Sequence, residues 1–204
     1  MIRKSWLSVL LMAVVLVAGC GKEAGERPKA VEAGPTKVKL ETSMGDIVLE
    51  LNGEAAPITA RNFIRYVEEG FYDGMVFHRV IPNFMIQGGG FTMDLKDKET
   101  HPMIVNEFKL SNVRGTIAMA KIGGNPNSAT SQFFINIADN SRLDSQNGGF
   151  TVFAKVVEGM DVVDSIAAVK TTTKMGTLKG RKLQMRDVPI EAVVIKSAKV
   201  ISGK

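Results

Sequence analysis

The densest run of chemically capable residues is Phe77-His78-Arg79-Val80-Ile81-Pro82-Asn83-Phe84-Met85-Ile86-Gln87-Gly88-Gly89-Gly90. As a strand it puts Phe77, Arg79 and Ile81 on one face, a guanidinium between apolar side chains. Arginine cannot discard its charge and must find acceptors. After a Pro82-Asn83 turn, Met85 and Gln87 share a face, as do Gln132 and Phe134 within Ser131-Gln132-Phe133-Phe134-Ile135. An apolar pocket edged by one arginine and two glutamines suits a neutral, amide-rich ligand and lacks the nucleophile and base of a hydrolase. His78 falls on the face opposite Arg79 and reads as structural. Gly88-Gly89-Gly90 is not followed by the Gly-Lys-Ser/Thr of a phosphate loop, so it reads as close backbone packing. His101 reads as solvated in a polar loop, and Met75, Met85, Met93, Met103 and Met119 as core or groove filling.

These residues need a strand-rich scaffold to position them. Val38, Leu40 and Thr42 alternate with polar neighbours, and Gly45 turns the chain into Ile47–Leu51, a hairpin pattern. Pro57 suits a first helical turn, Ala60, Phe63, Ile64 and Val67 make one apolar stripe, and Gly70 is placed to end the helix. Further strands are predicted at Met75–Ile81, Phe84–Gln87, Thr116–Ala120, Phe133–Ile137, Thr151–Val157 and Ala192–Val200, with a second helix at Met160–Ala168. Eight or so short strands and two helices predict a closed β-barrel, which would leave no sheet edges.

Composition excludes several classes. The 204 residues are 45% apolar and 23% charged, enough for a core and too apolar for general disorder. One cysteine cannot form an internal disulfide, and with only two histidines the chain is poor in zinc ligands. The N-terminus, MIRKSWLSVLLMAVVLVAGC, has a basic start and 13 residues from Trp6 to Ala18 that are apolar except for Ser8. That run is short for a membrane span and fits a signal peptide. Its end, Leu16-Val17-Ala18-Gly19-Cys20, resembles the lipobox of bacterial lipoproteins, which implies cleavage before a lipidated Cys20. Residues 1–19 are then the leader, 20–35 a lipidated cysteine and a tether rich in charge, glycine and proline, and 36–204 the folded domain. The expected location is the cell envelope, anchored by lipid, with the domain outside the cytoplasmic membrane. Lys170–Arg186 carries six positive charges and no acid and reads as a solvated loop, or as a contact for anionic lipid or an acidic client. Without interleaved aromatics it does not suggest nucleic acid.

From about Val38 to Val200 the chain resembles the cyclophilins, the cyclosporin-binding peptidyl-prolyl isomerases. The resemblance rests on FHRVIPNFMIQGGGFT, on Gly115–Ala120, on Asn127–Ile135 and on Val152–Met160. It implies a mainly β fold, a closed eight-stranded antiparallel barrel capped by two helices, and no cofactor. It implies that Arg79 is catalytic, that Phe84, Met85, Phe134 and Leu143 line a proline pocket, and that Gln87 and Gln132 contact substrate. Ala120 and the backbone of Lys121 would border the groove, with Phe150 beside them where the family often has His. The implied partners are proline-containing segments of unfolded or exported proteins, handled by a monomer. Arg142 stands where many relatives carry Trp or Phe, which implies weak cyclosporin binding. Lys121 replaces a common Asn and brings charge to the groove. A non-catalytic prolyl-peptide binding module is the alternative.

Overall fold

The computed structural model describes residues 36–201. The leader, Cys20 and the tether lie outside them. Strands β1 (Lys37–Thr42) and β2 (Gly45–Leu51) pair as the alternation predicts, with Leu40 opposite Ile47. Val38, Leu40, Ile47 and Leu49 are fully buried.

Helix α1 (Pro57–Glu68) begins with proline in its first turn and buries Ala60, Phe63, Tyr66 and Val67. Its N-terminal N–H groups are satisfied from far away. The Glu107 carboxylate accepts from Ile58 N at 3.1 Å, from Thr59 N at 2.8 Å and from the Thr59 hydroxyl at 2.8 Å. At the other end Gly70 takes a φ of 64°, with Gly70 N–H bonded to Val67 O and Phe71 N–H to Tyr66 O. Those two bonds are a Schellman stop.

The chain continues through β3 (Arg79–Ile81), β4 (Met85–Gly88), β5 (Thr116–Met119), β6 (Phe133–Asn136), β7 (Val152–Glu158), α2 (Met160–Ala167), β8 (Thr171–Leu178), β9 (Arg181–Pro189) and β10 (Ile195–Ile201). Eight strands form one antiparallel sheet in the order β10-β1-β2-β7-β5-β6-β4-β3.

Two expectations need correction. The sheet is an open, curled half-barrel rather than a closed barrel. Its end strand β3 has three residues and stops at Pro82, which has no N–H to extend a ladder. Only the segment ahead of it approaches the far end, through Phe77 N–H to Val193 O and Ile195 N–H to Met75 O. Lys170–Arg186 is not a loop: β8 and β9 pair with each other as a separate hairpin. Its turn uses Lys179 at φ 49° and Gly180 at φ 76°, the two positive values a type I′ turn requires.

The principal core lies inside the curl, where Phe63, Tyr72, Phe77, Phe133 and Phe153 are fully buried. A second cluster of Met85, Ala118, Phe134, Leu143 and Val152 lies on the outer face, flanked by partly exposed Ile81, Phe84, Ala120 and Phe150. Met75, Met85 and Met119 are buried, but Met93 and Met103 are exposed and fill no core.

Candidate active site

Pairing register, more than sequence proximity, assembles the outer face. Arg79 on β3 stands opposite Gln87 on β4, Gln87 opposite Phe134 on β6, and Phe134 opposite Ala118 on β5. One transverse row therefore runs from a guanidinium through an amide to an aromatic ring. The turn between β3 and β4 closes with Phe84 N–H bonded to Ile81 O at 3.2 Å. Asn83 sits at φ 57° beside Pro82, the combination a type II turn favours. This turn delivers Phe84 to the rim of the same face.

The residues enclose a cavity of about 600 Å³ lined by Arg79, Phe84, Met85, Gln87, Ala120, Lys121, Phe134, Arg142, Leu143, Gln146 and Phe150. Nine of the ten residues expected from the sequence line it. The tenth, Gln132, stands behind it and accepts a hydrogen bond from Gln87 Nε2 at 2.9 Å. Gln146 escapes sequence reasoning, since it lies in a polar Ser-Gln-Asn-Gly-Gly stretch with no periodicity to mark it. Arg142, whose sequence signal bears only on cyclosporin, also joins the wall, with its guanidinium carbon 4.6 Å from the centre of the Phe84 ring.

Arg79 is half exposed, and its Nε is 3.8 Å from Asp187 Oδ2 on β9. The expected face is right for Ile81 but not for Phe77, which joins Val80 in the principal core. The strand starts only at Arg79, so strict alternation does not reach back to Phe77. His78 is buried against the Phe91 ring at 4.8 Å, as a structural role requires. Its Nδ1 has no hydrogen-bond partner, and burial lowers its pKa to about 4, so it is neutral at pH 7. His101 is not free in solvent: its Nε2 lies 2.6 Å from Glu69 Oε2, and its ring packs on Tyr66 at 4.9 Å. That hydrogen bond, with Arg65 adding to it, holds the Glu69 carboxyl below its ordinary range.

Lys121 turns its charge into the pocket wall. Its Nζ donates to Asn147 O at 3.0 Å and to Gly149 O, and lies 4.8 Å over the Phe150 ring. Burial lowers its pKa. The triple glycine is close packing, as its sequence suggests: a Cβ at Gly89 would meet Ser131 O at 2.8 Å, and one at Gly90 the Gln132 side chain at 2.5 Å.

A buried amide network fixes the wall from behind. Asn140 Nδ2 donates to Phe84 O at 2.8 Å and to Asn136 Oδ1 at 2.8 Å. Asn112 Nδ2 donates to Phe150 O at 3.2 Å and to Asp144 Oδ1 at 3.0 Å. Burial alone would raise the Asp144 carboxyl, but hydrogen bonds from Asn112 and Ser111 outweigh it and leave it lowered. Sequence patterning gives no sign of this network, because asparagines in loops, or at a strand end as Asn136 is, read as turn residues.

A family model for cyclophilin type peptidyl-prolyl cis-trans isomerase/CLD matches residues 37–200. The chain belongs to the cyclophilins. It is 55% identical over 142 residues to a peptidyl-prolyl cis-trans isomerase of Acinetobacter baylyi, covering 68% of this chain and 75% of that protein. It is 49% identical over 170 residues to peptidyl-prolyl cis-trans isomerase A of Dickeya dadantii, covering 81% and 85%. With peptidyl-prolyl cis-trans isomerase B of Escherichia coli it shares 48% over 170 residues, covering 80% and 98%. A crystal structure of a Cryptosporidium parvum cyclophilin, determined in the presence of the dipeptide Ala-Pro, superposes with a TM-score of 0.65 at 25% identity, covering 82% of this chain and 99% of that one. This cyclophilin is therefore a peptidyl-prolyl cis-trans isomerase.

Proposed function

We propose that this cyclophilin isomerises X-Pro bonds of exported proteins at the outer-face cavity, with Arg79 as the catalytic group. The observation that carries the reading is the register row of Arg79, Gln87 and Phe134 along one wall of that cavity. An X-Pro bond turns slowly because its partial double bond opposes a barrier of about 18–20 kcal/mol. No bond breaks and no proton need leave, so catalysis requires only that the twisted amide bind better than either planar form. Twisting localises the nitrogen lone pair. Arg79 donates to that nitrogen and weakens C–N resonance. Phe84, Met85, Phe134, Leu143 and Phe150 hold the ring, while Gln87, positioned by Gln132 from behind, holds the flanking peptide with Ala120 and the backbone of Lys121. A 10⁵-fold acceleration needs about 7 kcal/mol of differential binding, within reach of a partly desolvated guanidinium bond and an oriented ring.

The lipobox-like Leu16–Cys20 supports anchoring through a lipidated Cys20 and action in the cell envelope. Arg142 in place of an aromatic supports weak cyclosporin binding.

Cis–trans exchange of an Ala-Pro peptide, followed by NMR with the full chain in detergent, tests the catalytic assignment. Arg79→Lys keeps the charge but loses the planar fork, and exchange should slow by about 30-fold or more. Peptide shifts without faster exchange by the wild type would make the cavity a binding module. An unchanged rate in Arg79→Lys would remove Arg79 from the mechanism. Loss of lipid labelling in Cys20→Ser is the expected result for the anchor.

A further inference from the structure

The cavity wall carries three cations, Arg79, Lys121 and Arg142, and none of the residues lining it is an acid. Their charges are met unequally. Lys121 is spent on two backbone carbonyls and an aromatic ring. Arg79 has Asp187 at 3.8 Å. The exposed Arg142 side chain makes no hydrogen bond or ion pair among the described residues and only stacks on Phe84. A stacked guanidinium is held in place by its ring, yet all five of its N–H donors remain available, in a geometry that matches a carboxylate.

Resting on the assignment of this cavity to the proline-containing substrate, we propose that Arg142 is a specificity-determining residue that selects X-Pro segments bearing an acidic side chain immediately before or after the proline. The reach fits. Phe84 belongs to the wall that holds the ring, the guanidinium lies 4.6 Å from it, and an extended chain advances about 3.3–3.6 Å per residue. A neighbouring Glu can therefore meet Arg142 without leaving the groove. A neighbouring Lys meets three like charges. The neutral groove residues Gln87 and Gln146 offer amides to either and do not discriminate by charge.

The test uses blocked peptides with Glu, Gln or Lys placed immediately before the proline, and a second set with the same residues immediately after it. Exchange is measured by NMR with the full chain and with Arg142→Gln and Arg142→Lys. The readout is the ratio of kcat/KM for Glu over Gln, which cancels any general loss of activity in a variant. The wild type should give a ratio of about 5 on at least one side, falling toward 1 in 1 M salt. Arg142→Gln should abolish the ratio, and Arg142→Lys should keep part of it. A wild-type ratio of 1 on both sides overturns the proposal. So does a ratio that survives in Arg142→Gln, which would assign the selection to Arg79 or Lys121. If no peptide is accelerated, the assignment of the cavity to catalysis fails separately. The Gln-to-Glu ratio of dissociation constants, from shift titrations of the same samples, then decides the acid preference by the same criteria.

Discussion

Phe133 and Phe134 are neighbours on one strand and belong to different chemistries. Phe133 is fully buried, with ring centres of Phe63 and Tyr72 each 5.5 Å away. Phe134 faces the other side and packs with Met85, Leu143 and the rim residue Phe150, whose ring is 5.7 Å away. The inner cluster is sealed by α1, α2 and the curl of the sheet. The outer one is left open, and the opening is the cavity. The same pleat thus builds a sealed core on one face and the wall of an open cavity on the other. What separates them is whether a second layer covers the face.

Truncating each ring should separate these roles. Phe133→Ala removes a packed ring with no water-accessible neighbour and should cost about 3–5 kcal/mol of stability in urea unfolding. Phe134→Ala only enlarges an existing cavity and should cost less than half as much, while lowering kcat/KM by about tenfold or more. Equal stability losses would mean that the outer face is as much a core as the inner one.

An intermediate effect is expected behind the pocket. Asn140→Ala leaves the buried Asn136 Oδ1 without its donor and takes one of two donors from the Phe84 carbonyl, which keeps Ile137 N–H at 3.0 Å. The expected cost is about 1–3 kcal/mol. Because Phe84 lies at the cavity rim, kcat/KM should fall as well, through KM more than kcat. A change in stability alone would show that Phe84 is placed by its turn and not by Asn140.

Features that local period dictates are legible in the sequence, whereas those that depend on distant partners are mostly hidden. The hairpin β1–β2, the α1 stripe and the Gly70 stop are all readable, because alternation, a 3.6-residue spacing and a left-handed glycine are local demands. Arg79, Phe84, Met85, Gln87, Ala120 and Phe134 are readable because they crowd into three motifs, whereas Lys121, Leu143 and Phe150 lie outside them and come only from the resemblance. The hairpin β8–β9 is not. Its turn places Lys179, not Asn or Asp, ahead of Gly180, and its strands Thr171–Leu178 and Arg181–Pro189 are mostly polar, without the alternation of a half-buried strand. The cap of α1 is hidden too, since Glu107 lies 49 residues beyond Ile58. Closure of the sheet is overestimated for a similar reason. Counting strands does not reveal that the one at its end has three residues.

Arg79 and His78 carry the comparison down to adjacent positions, and here the expected effect is smallest. Arg79 faces the cavity, half exposed, whereas His78 is buried with an unpartnered Nδ1 and a pKa lowered from 6.5 to about 4, mainly by burial. The unfolded chain takes up a proton on this ring as pH falls below about 6.5, and the folded chain refuses it until about 4. Stability is therefore intact above that window and declines as pH falls through it. For this one group the loss between pH 7 and pH 5.5 should be about 1 kcal/mol. Carboxylates titrate in the same range, so the measurement is a difference: urea unfolding of wild type and His78→Phe at both pH values. His78→Phe should lose less stability on acidification, by about that amount. Exchange catalysis per folded molecule should stay flat from pH 6 to 8 in both proteins, because the reaction moves no proton and His78 is already neutral. A wild-type rate that rises or falls with a midpoint near 6.5, and loses that dependence in His78→Phe, would place the histidine in the chemistry and erase the distinction between the two faces.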